Sequence, residues 1–216
     1  MRSISRKKCL RTGSMPVAPF CACGDALAMT LSNPNMENLQ EFGQTLPEFA
    51  LPLLDGSGMQ TLRDFLAGKK GAVVVFWSAV CTHCRRYDNY FNAFGEWHPE
   101  LGFAVIASRY GERPEEIQDA AVQRHLLFPI LLDEGGDTAG KWYSQQTPRC
   151  YLVSADGRLL YRGAIDNFKF PTDPEYIAYL EPTIDSYLAG RSILRPETAS
   201  FGCAIETTYY HLPRQL

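Results

Sequence analysis

Residues 71–84 read Gly71-Ala72-Val73-Val74-Val75-Phe76-Trp77-Ser78-Ala79-Val80-Cys81-Thr82-His83-Cys84. Gly71 to Ser78 is an unbroken apolar run rich in β-branched residues, the composition of a strand buried on both faces and so of a central parallel strand. From Cys81 the period changes. Cys84, Tyr87, Phe91, Phe94 and His98 recur at helical steps, which predicts a helix from Cys81 to His98, stopped by Pro99, with its aromatic stripe packed on the sheet. A strand that leads straight into a helix places the two cysteines where open α/β folds collect ligand and catalytic groups. Cys81 then meets unpaired N–H groups and the positive pole of the helix, both of which favour thiolate over thiol. Cys81 is therefore read as the nucleophile, and Cys84, one turn further in, as the resolving thiol. His83, Arg85 and Arg86 crowd a helix start that ordinarily favours acids, and beside a thiolate their positive charge lowers its pKa.

Working outward, Leu46 to Leu53 is extended, and Asp55-Gly56-Ser57-Gly58 turns a hairpin back through Met59 to Leu62. A short helix, Leu62 to Leu66, ends at Gly68. Towards the C-terminus come a strand Phe103 to Ala107, a helix Glu115 to His125 begun after Pro114, a strand Pro129 to Leu132 and a short helix Gly136 to Tyr143. Strands Cys150 to Ser154 and Leu159 to Arg162 follow, joined by Ala155-Asp156-Gly157, and a last helix runs from Asp173 to Leu188. The class is α/β: a βαβαββα core with a central mixed β-sheet flanked by helices, and an N-terminal β-hairpin extension. The domain is expected over residues 42–192, between a leader, 1–38, and a C-terminal tail, 193–216. The leader mixes Arg2, Arg6, Lys7, Lys8 and Arg11 with a weakly apolar stretch broken by Pro16, Pro19, Gly24 and Asp25. It reads as a flexible or targeting segment, or as a misplaced start with Met15, Met29 or Met36 as the true one.

Composition narrows the function classes. The 216 residues are 45% hydrophobic and 21% charged, as suits a globular chain with a real core. With 21 Lys+Arg against 24 Asp+Glu and a net charge of -3 there is no basic field to attract nucleic acid. The longest apolar run, Ala72 to Trp77, is far short of the roughly 20 residues of a spanning helix, so no transmembrane segment is expected. The seven cysteines are odd in number and scattered: Cys9, Cys21 and Cys23 in the leader, Cys81 and Cys84 together, Cys150 and Cys203 isolated. That is no disulfide framework, and the cytoplasm is favoured over the periplasm or export. His98, His125 and His211 read as helix-face or tail residues rather than ligands.

Val75-Phe76-Trp77-Ser78-Ala79-Val80-Cys81-Thr82-His83-Cys84 resembles the strand-to-helix motif F-W-A-x-W-C-x-x-C of the thioredoxin superfamily, and Gln146-Thr147-Pro148 before Cys150-Tyr151-Leu152-Val153 resembles its T-P segment. Leu46-Pro47-Glu48-Phe49-Ala50-Leu51-Pro52 is similar to the entry of the redoxin (AhpC/TSA-like) branch. Pro196-Glu197-Thr198 to Phe201-Gly202-Cys203-Ala204-Ile205 is similar to the ending of uncharacterised bacterial redoxin-like proteins with a C-x-H-C centre. The resemblance implies a thioredoxin-like fold, a cis Pro148 beside the cysteines, and substrate contacts from Trp77, Thr147 and Pro148. It also implies a couple more oxidising than thioredoxin, because a histidine precedes the second cysteine. This sequence has Val80 and Val75 where thioredoxin has a tryptophan and a buried acid; Asp88, on the helix face of Cys84 and Cys81, is the substitute candidate for managing the resolving cysteine's proton.

The function expected is thiol–disulfide exchange through Cys81 and Cys84 with protein or small-molecule disulfides and dithiols, with no cofactor. One alternative is a peroxiredoxin-like peroxidase with Cys81 as peroxidatic cysteine, in which Ser78 stands where those enzymes carry Thr or Ser. Another is metal binding or metal delivery. No metal site is expected, because two cysteines and a histidine within four residues cannot surround one ion without a remote ligand, and Cys203 is the conspicuous one. Cys203 reads either as a small hydrophobe or free thiol, or as a third thiol brought over Cys81 by a returning tail that Gly202 allows to bend.

Overall fold

A computed structural model of the chain describes residues 41–205, so the expected leader with Cys9, Cys21 and Cys23, and His211, lie outside the described residues. Strand β1 (Ala50–Pro52) pairs antiparallel with β2 (Met59–Thr61), forming the expected hairpin. Thr61 also caps α1 (Leu62–Leu66): its hydroxyl accepts the Asp64 N–H at 3.2 Å, while the Asp64 carboxylate accepts the Thr61 N–H at 2.8 Å. That reciprocal pair satisfies two donors the helix start would otherwise leave open. Strand β3 (Gly71–Trp77) follows, all of it buried.

The continuous helix expected from Cys81 to His98 is instead broken into α2 (Thr82–Arg85) and α3 (Asp88–Trp97). At the joint Tyr87 leaves helical dihedrals (φ -103°, ψ 6°), and its N–H bonds the Cys84 carbonyl three residues back. Two long-range anchors sit at this break: the Tyr87 hydroxyl donates to Asp166 at 2.6 Å, and Arg124 grips Asp88. Tertiary partners thus override a helical period that runs through the sequence without interruption.

The chain continues through β4 (Leu101–Ala107), α4 (Pro114–Gln123), β5 (Ile130–Leu132), a 3₁₀ turn (Glu134–Gly136) and α5 (Asp137–Lys141). Two-residue β6 (Gln146–Thr147), β7 (Arg149–Ser154), β8 (Leu159–Gly163), α6 (Leu180–Leu188) and two-residue β9 (Cys203–Ala204) complete it. The main sheet has the order β5-β4-β3-β7-β8. Its β3 is central, parallel to β4 on one side and antiparallel to β7 on the other. Alternate residues of β3 enter two cores: Val73, Val75 and Trp77 face α3, α4 and α6, whereas Val74 and Phe76 face Leu46, Phe49, Leu62 and Trp142. Each large apolar side chain buried this way contributes about 1.5–3 kcal/mol, so β3 is a rigid base for the turn that follows it.

The last helix begins at Leu180, not Asp173. Asn167 holds the preceding segment open: its amide donates to the Glu175 carbonyl at 2.7 Å, its side-chain oxygen accepts the Ile177 N–H at 3.1 Å, and its own N–H bonds the Ile177 carbonyl. Those groups are therefore unavailable to helical partners. The tail, up to Ile205, returns across the domain. Glu197 pairs with Arg162 at 2.7 Å, the Thr198 hydroxyl accepts the Ala164 N–H at 3.0 Å, Ile205 is buried, and β9 pairs antiparallel with β6. Among the described residues no helix is long and apolar enough to cross a membrane.

Candidate active site

Cys81 is the N-cap of α2, in an extended conformation at the carboxyl end of β3. Its Sγ lies 3.2 Å from the Thr147 carbonyl oxygen, a contact that is a hydrogen bond only in the protonated form, and Thr147–Pro148 is a cis peptide. Across the β6–β9 ladder Thr147 stands opposite Cys203. The strands can approach this closely only because residue 202 is glycine, since a Cβ there would lie 1.8 Å from the Thr147 carbonyl oxygen. The Sγ atoms of Cys81 and Cys203 and a ring nitrogen of His83 all lie within 4.8 Å of one another. The returning tail thus brings Cys203 over Cys81, which is only 1% exposed, while Cys84 beneath it is fully buried.

The three thiols differ in protonation. The Cys81 pKa is pulled down to about 3, first by a hydrogen bond from the Cys84 thiol and then, against the cost of burial, by bonds from the Thr147 side chain and from Cys203. Cys84 is pushed well above the ordinary thiol value by burial and by the adjacent Cys81 charge. Cys203 is pushed up to about 11 by burial and by Cys81. One thiolate is therefore solvated by two protonated thiols and a threonine. Helix α2 has four residues, so these short-range donors, not a long helix dipole, hold the charge.

Several sequence expectations change here. His83 is not among the groups that account for the Cys81 shift; its ring lies against Phe168 with centroids 4.9 Å apart, and its Nδ1 is buried without a hydrogen-bond partner. Arg86 turns away to Asp166 at 3.8 Å and lies 4.8 Å from the ring centroids of Phe168 and Phe170. Asp88, expected to manage the proton of Cys84, is instead held by Arg124 through contacts of 2.7 and 2.5 Å. The same guanidinium donates to the Ala79 carbonyl at 2.9 Å and stacks over Trp77, so the pair fixes the turn before Cys81. Trp77, expected at the substrate surface, is fully buried, and Thr147 and Pro148 are buried as well. Cys150 is a buried thiol in β7 whose pKa is raised by that burial, and it behaves as a small hydrophobe.

Glu112 is the residue that sequence reasoning missed. One oxygen of its carboxylate accepts from the Ser78 hydroxyl and the Val80 N–H, both at 3.1 Å, and burial raises its pKa. Ser78, the residue on which the peroxidase alternative depends, is thereby committed to a structural bond. Nothing in the local sequence marks Glu112, which lies in the connection between β4 and α4.

A mixed sheet with a C-x-x-C at the end of its central strand, facing a cis-proline loop, defines a thioredoxin-fold dithiol protein of the redoxin branch. The chain belongs to the AhpC/TSA family, which matches residues 42–162. It is 27% identical over 124 residues to the thiol-disulfide oxidoreductase ResA of Bacillus thuringiensis subsp. konkukian and to that of Bacillus cereus, in each case over 57% of this chain and 70% of the relative. Among solved structures, a hypothetical protein of Sinorhizobium meliloti 1021 matches with a TM-score of 0.68 at 23% identity, over 78% of this chain and 95% of that one.

Proposed function

We propose that the protein is a thiol–disulfide oxidoreductase in which Cys81 attacks and Cys84 resolves. The Cys81 thiolate forms a bond to one sulfur of a substrate disulfide and expels the other as a thiolate. The Cys84 thiol then gives up its proton, attacks the Cys81 sulfur and closes the Cys81–Cys84 disulfide, and the second substrate sulfur leaves and takes a proton. The protein is oxidised by two electrons and the substrate reduced by two; the reverse sequence oxidises a dithiol. The observation that carries this reading is the placement of Cys81 as the N-cap of α2 after the central strand, with Cys84 buried beneath it. The opposed shifts, Cys81 down to about 3 and Cys84 up, agree with attack by Cys81 and later attack on its sulfur by Cys84. The ResA relatives support the same activity.

Apolar side chains suit peptide disulfides as substrates. Val80, directly before Cys81, is 55% exposed, and Phe201, two residues before Cys203, is 56% exposed. Such residues offer an apolar contact to chain flanking a disulfide, with the buried Thr147–Pro148 edge beneath. The test measures insulin disulfide reduction and hydrogen peroxide consumption side by side on the same reduced protein. Insulin reduction without peroxide turnover is the expected result. Peroxide turnover without insulin reduction would assign the peroxidase function instead.

A further inference from the structure

The geometry points to a soft-metal site: in its reduced form the protein binds one Cu(I) ion between the Cys81 and Cys203 sulfurs and a ring nitrogen of His83. The three donor atoms come from α2 and its N-cap on one side and from β9 on the other, and all lie within 4.8 Å of one another. Donors about 2.0–2.3 Å from a shared d10 ion sit roughly 3.5–4 Å apart, so closure takes about 1 Å or less per pair, within reach of small side-chain rotations. His83 carries an independent sign of a ligand. Its Nδ1 is buried with no hydrogen-bond partner, and the Phe168 ring holds the imidazole in place at 4.9 Å. Buried polar atoms ordinarily find partners, and coordination through Nδ1 would give this one its partner.

The donor set selects the ion. Two thiolates and an imidazole are soft ligands that favour Cu(I) and Zn(II) over harder cations. Among the described residues no fourth Cys, His, Asp or Glu joins the group, whereas structural zinc is almost always held by four ligands. Three protein donors complete a trigonal set for Cu(I), whereas Zn(II) on the same three would need a water or substrate as its fourth ligand. Binding displaces any protons left on the two thiols and forms two Cu–S bonds and one Cu–N bond, with no electron transferred. The site itself does not depend on the exchange activity. Its gating does: a Cys81–Cys84 disulfide removes one ligand, so the oxidised protein should release the ion.

The experiment uses the full-length chain with Cys9, Cys21 and Cys23 replaced by serine, so that those thiols do not compete. Reduced protein is titrated anaerobically with Cu(I) against a chromogenic Cu(I) chelator, and X-ray absorption reports the ligands. One equivalent held against the chelator is expected, with two sulfur and one nitrogen neighbours. Cys203→Ser and His83→Ala, each checked by thermal unfolding for an intact fold, should lose it, as should the oxidised protein. Cys84→Ser, which lacks the resolving thiol and so tests the site apart from exchange, should retain it. Failure to hold Cu(I), or loss in Cys84→Ser with retention in Cys203→Ser and His83→Ala, would overturn the assignment. One equivalent of Zn(II) retained in place of Cu(I) would overturn the choice of ion.

Discussion

Thr147 and Cys203 face each other across the β6–β9 ladder, and the carbonyl oxygen of the same Thr147 lies 3.2 Å from the Cys81 sulfur. The tail is thus part of the active centre, joined to it by backbone pairing on one side and by sulfur contacts on the other.

Gly202 makes that pairing possible. Gly202→Ala should push β9 off β6, because the added methyl would sit 1.8 Å from the Thr147 carbonyl oxygen. A forced shift of this kind costs about 1–3 kcal/mol. Thermal unfolding should show the loss, and iodoacetamide should alkylate Cys81 faster than in the parent protein once the covering strand moves. An unchanged melting temperature together with an unchanged alkylation rate would mean that the tail does not cover Cys81.

The Cys81 shift has a pH signature. An ordinary thiol is alkylated about tenfold faster per pH unit below its pKa, whereas a thiolate with pKa about 3 should react at a constant rate from about pH 5 to 8. Folding lowers this pKa from its ordinary 9.0, so the thiolate's contribution to the stability of the reduced protein is complete above 9.0 and is lost as pH falls towards about 3. Relative to Cys81→Ser, the reduced protein should therefore gain stability as pH rises through that window. Denaturant unfolding at several pH values checks the sign, and an opposite slope would contradict the thiolate.

Arg124 and Asp88 are both nearly buried, with side chains 9% and 10% exposed. Arg124→Ala would leave the Asp88 carboxylate without its partner and the Ala79 carbonyl without its donor, at a cost of about 3–5 kcal/mol. Thermal unfolding should record that loss, with exchange activity reduced because the turn before Cys81 loosens. The double variant Arg124→Leu with Asp88→Leu should recover much of the stability, since no buried charge is then stranded. A single variant as stable as the parent would show that the pair contributes nothing to the turn.

The parts of this molecule governed by local rules were legible in the sequence. The apolar run of β3, the Asp156-Gly157 hairpin, the β1–β2 turn and the C-x-x-C at a strand end each follow from residues close together in the chain. What escaped depends on partners far apart. The break at Tyr87 follows from Asp166 and Arg124, the late start of α6 from Asn167, and the support beneath Val80 from Glu112. No period or spacing links these positions. The place of Cys203 was legible only as one of two possibilities, because a two-residue strand carries no periodicity of its own. Asp88 misled for the same reason: its helix face pointed to Cys84, but a guanidinium 36 residues away had already engaged it.

Trapping of the mixed disulfide distinguishes attack by Cys81 and resolution by Cys84 from the reverse order. Reduced Cys84→Ser and Cys81→Ser proteins are each mixed with a peptide disulfide, quenched in acid and analysed by intact mass and peptide mapping. A stable mixed disulfide on Cys81 is expected in Cys84→Ser, and neither adduct nor insulin reduction in Cys81→Ser. Adducts in equal yield from both variants, or an adduct on Cys84 in Cys81→Ser alone, would contradict attack by Cys81.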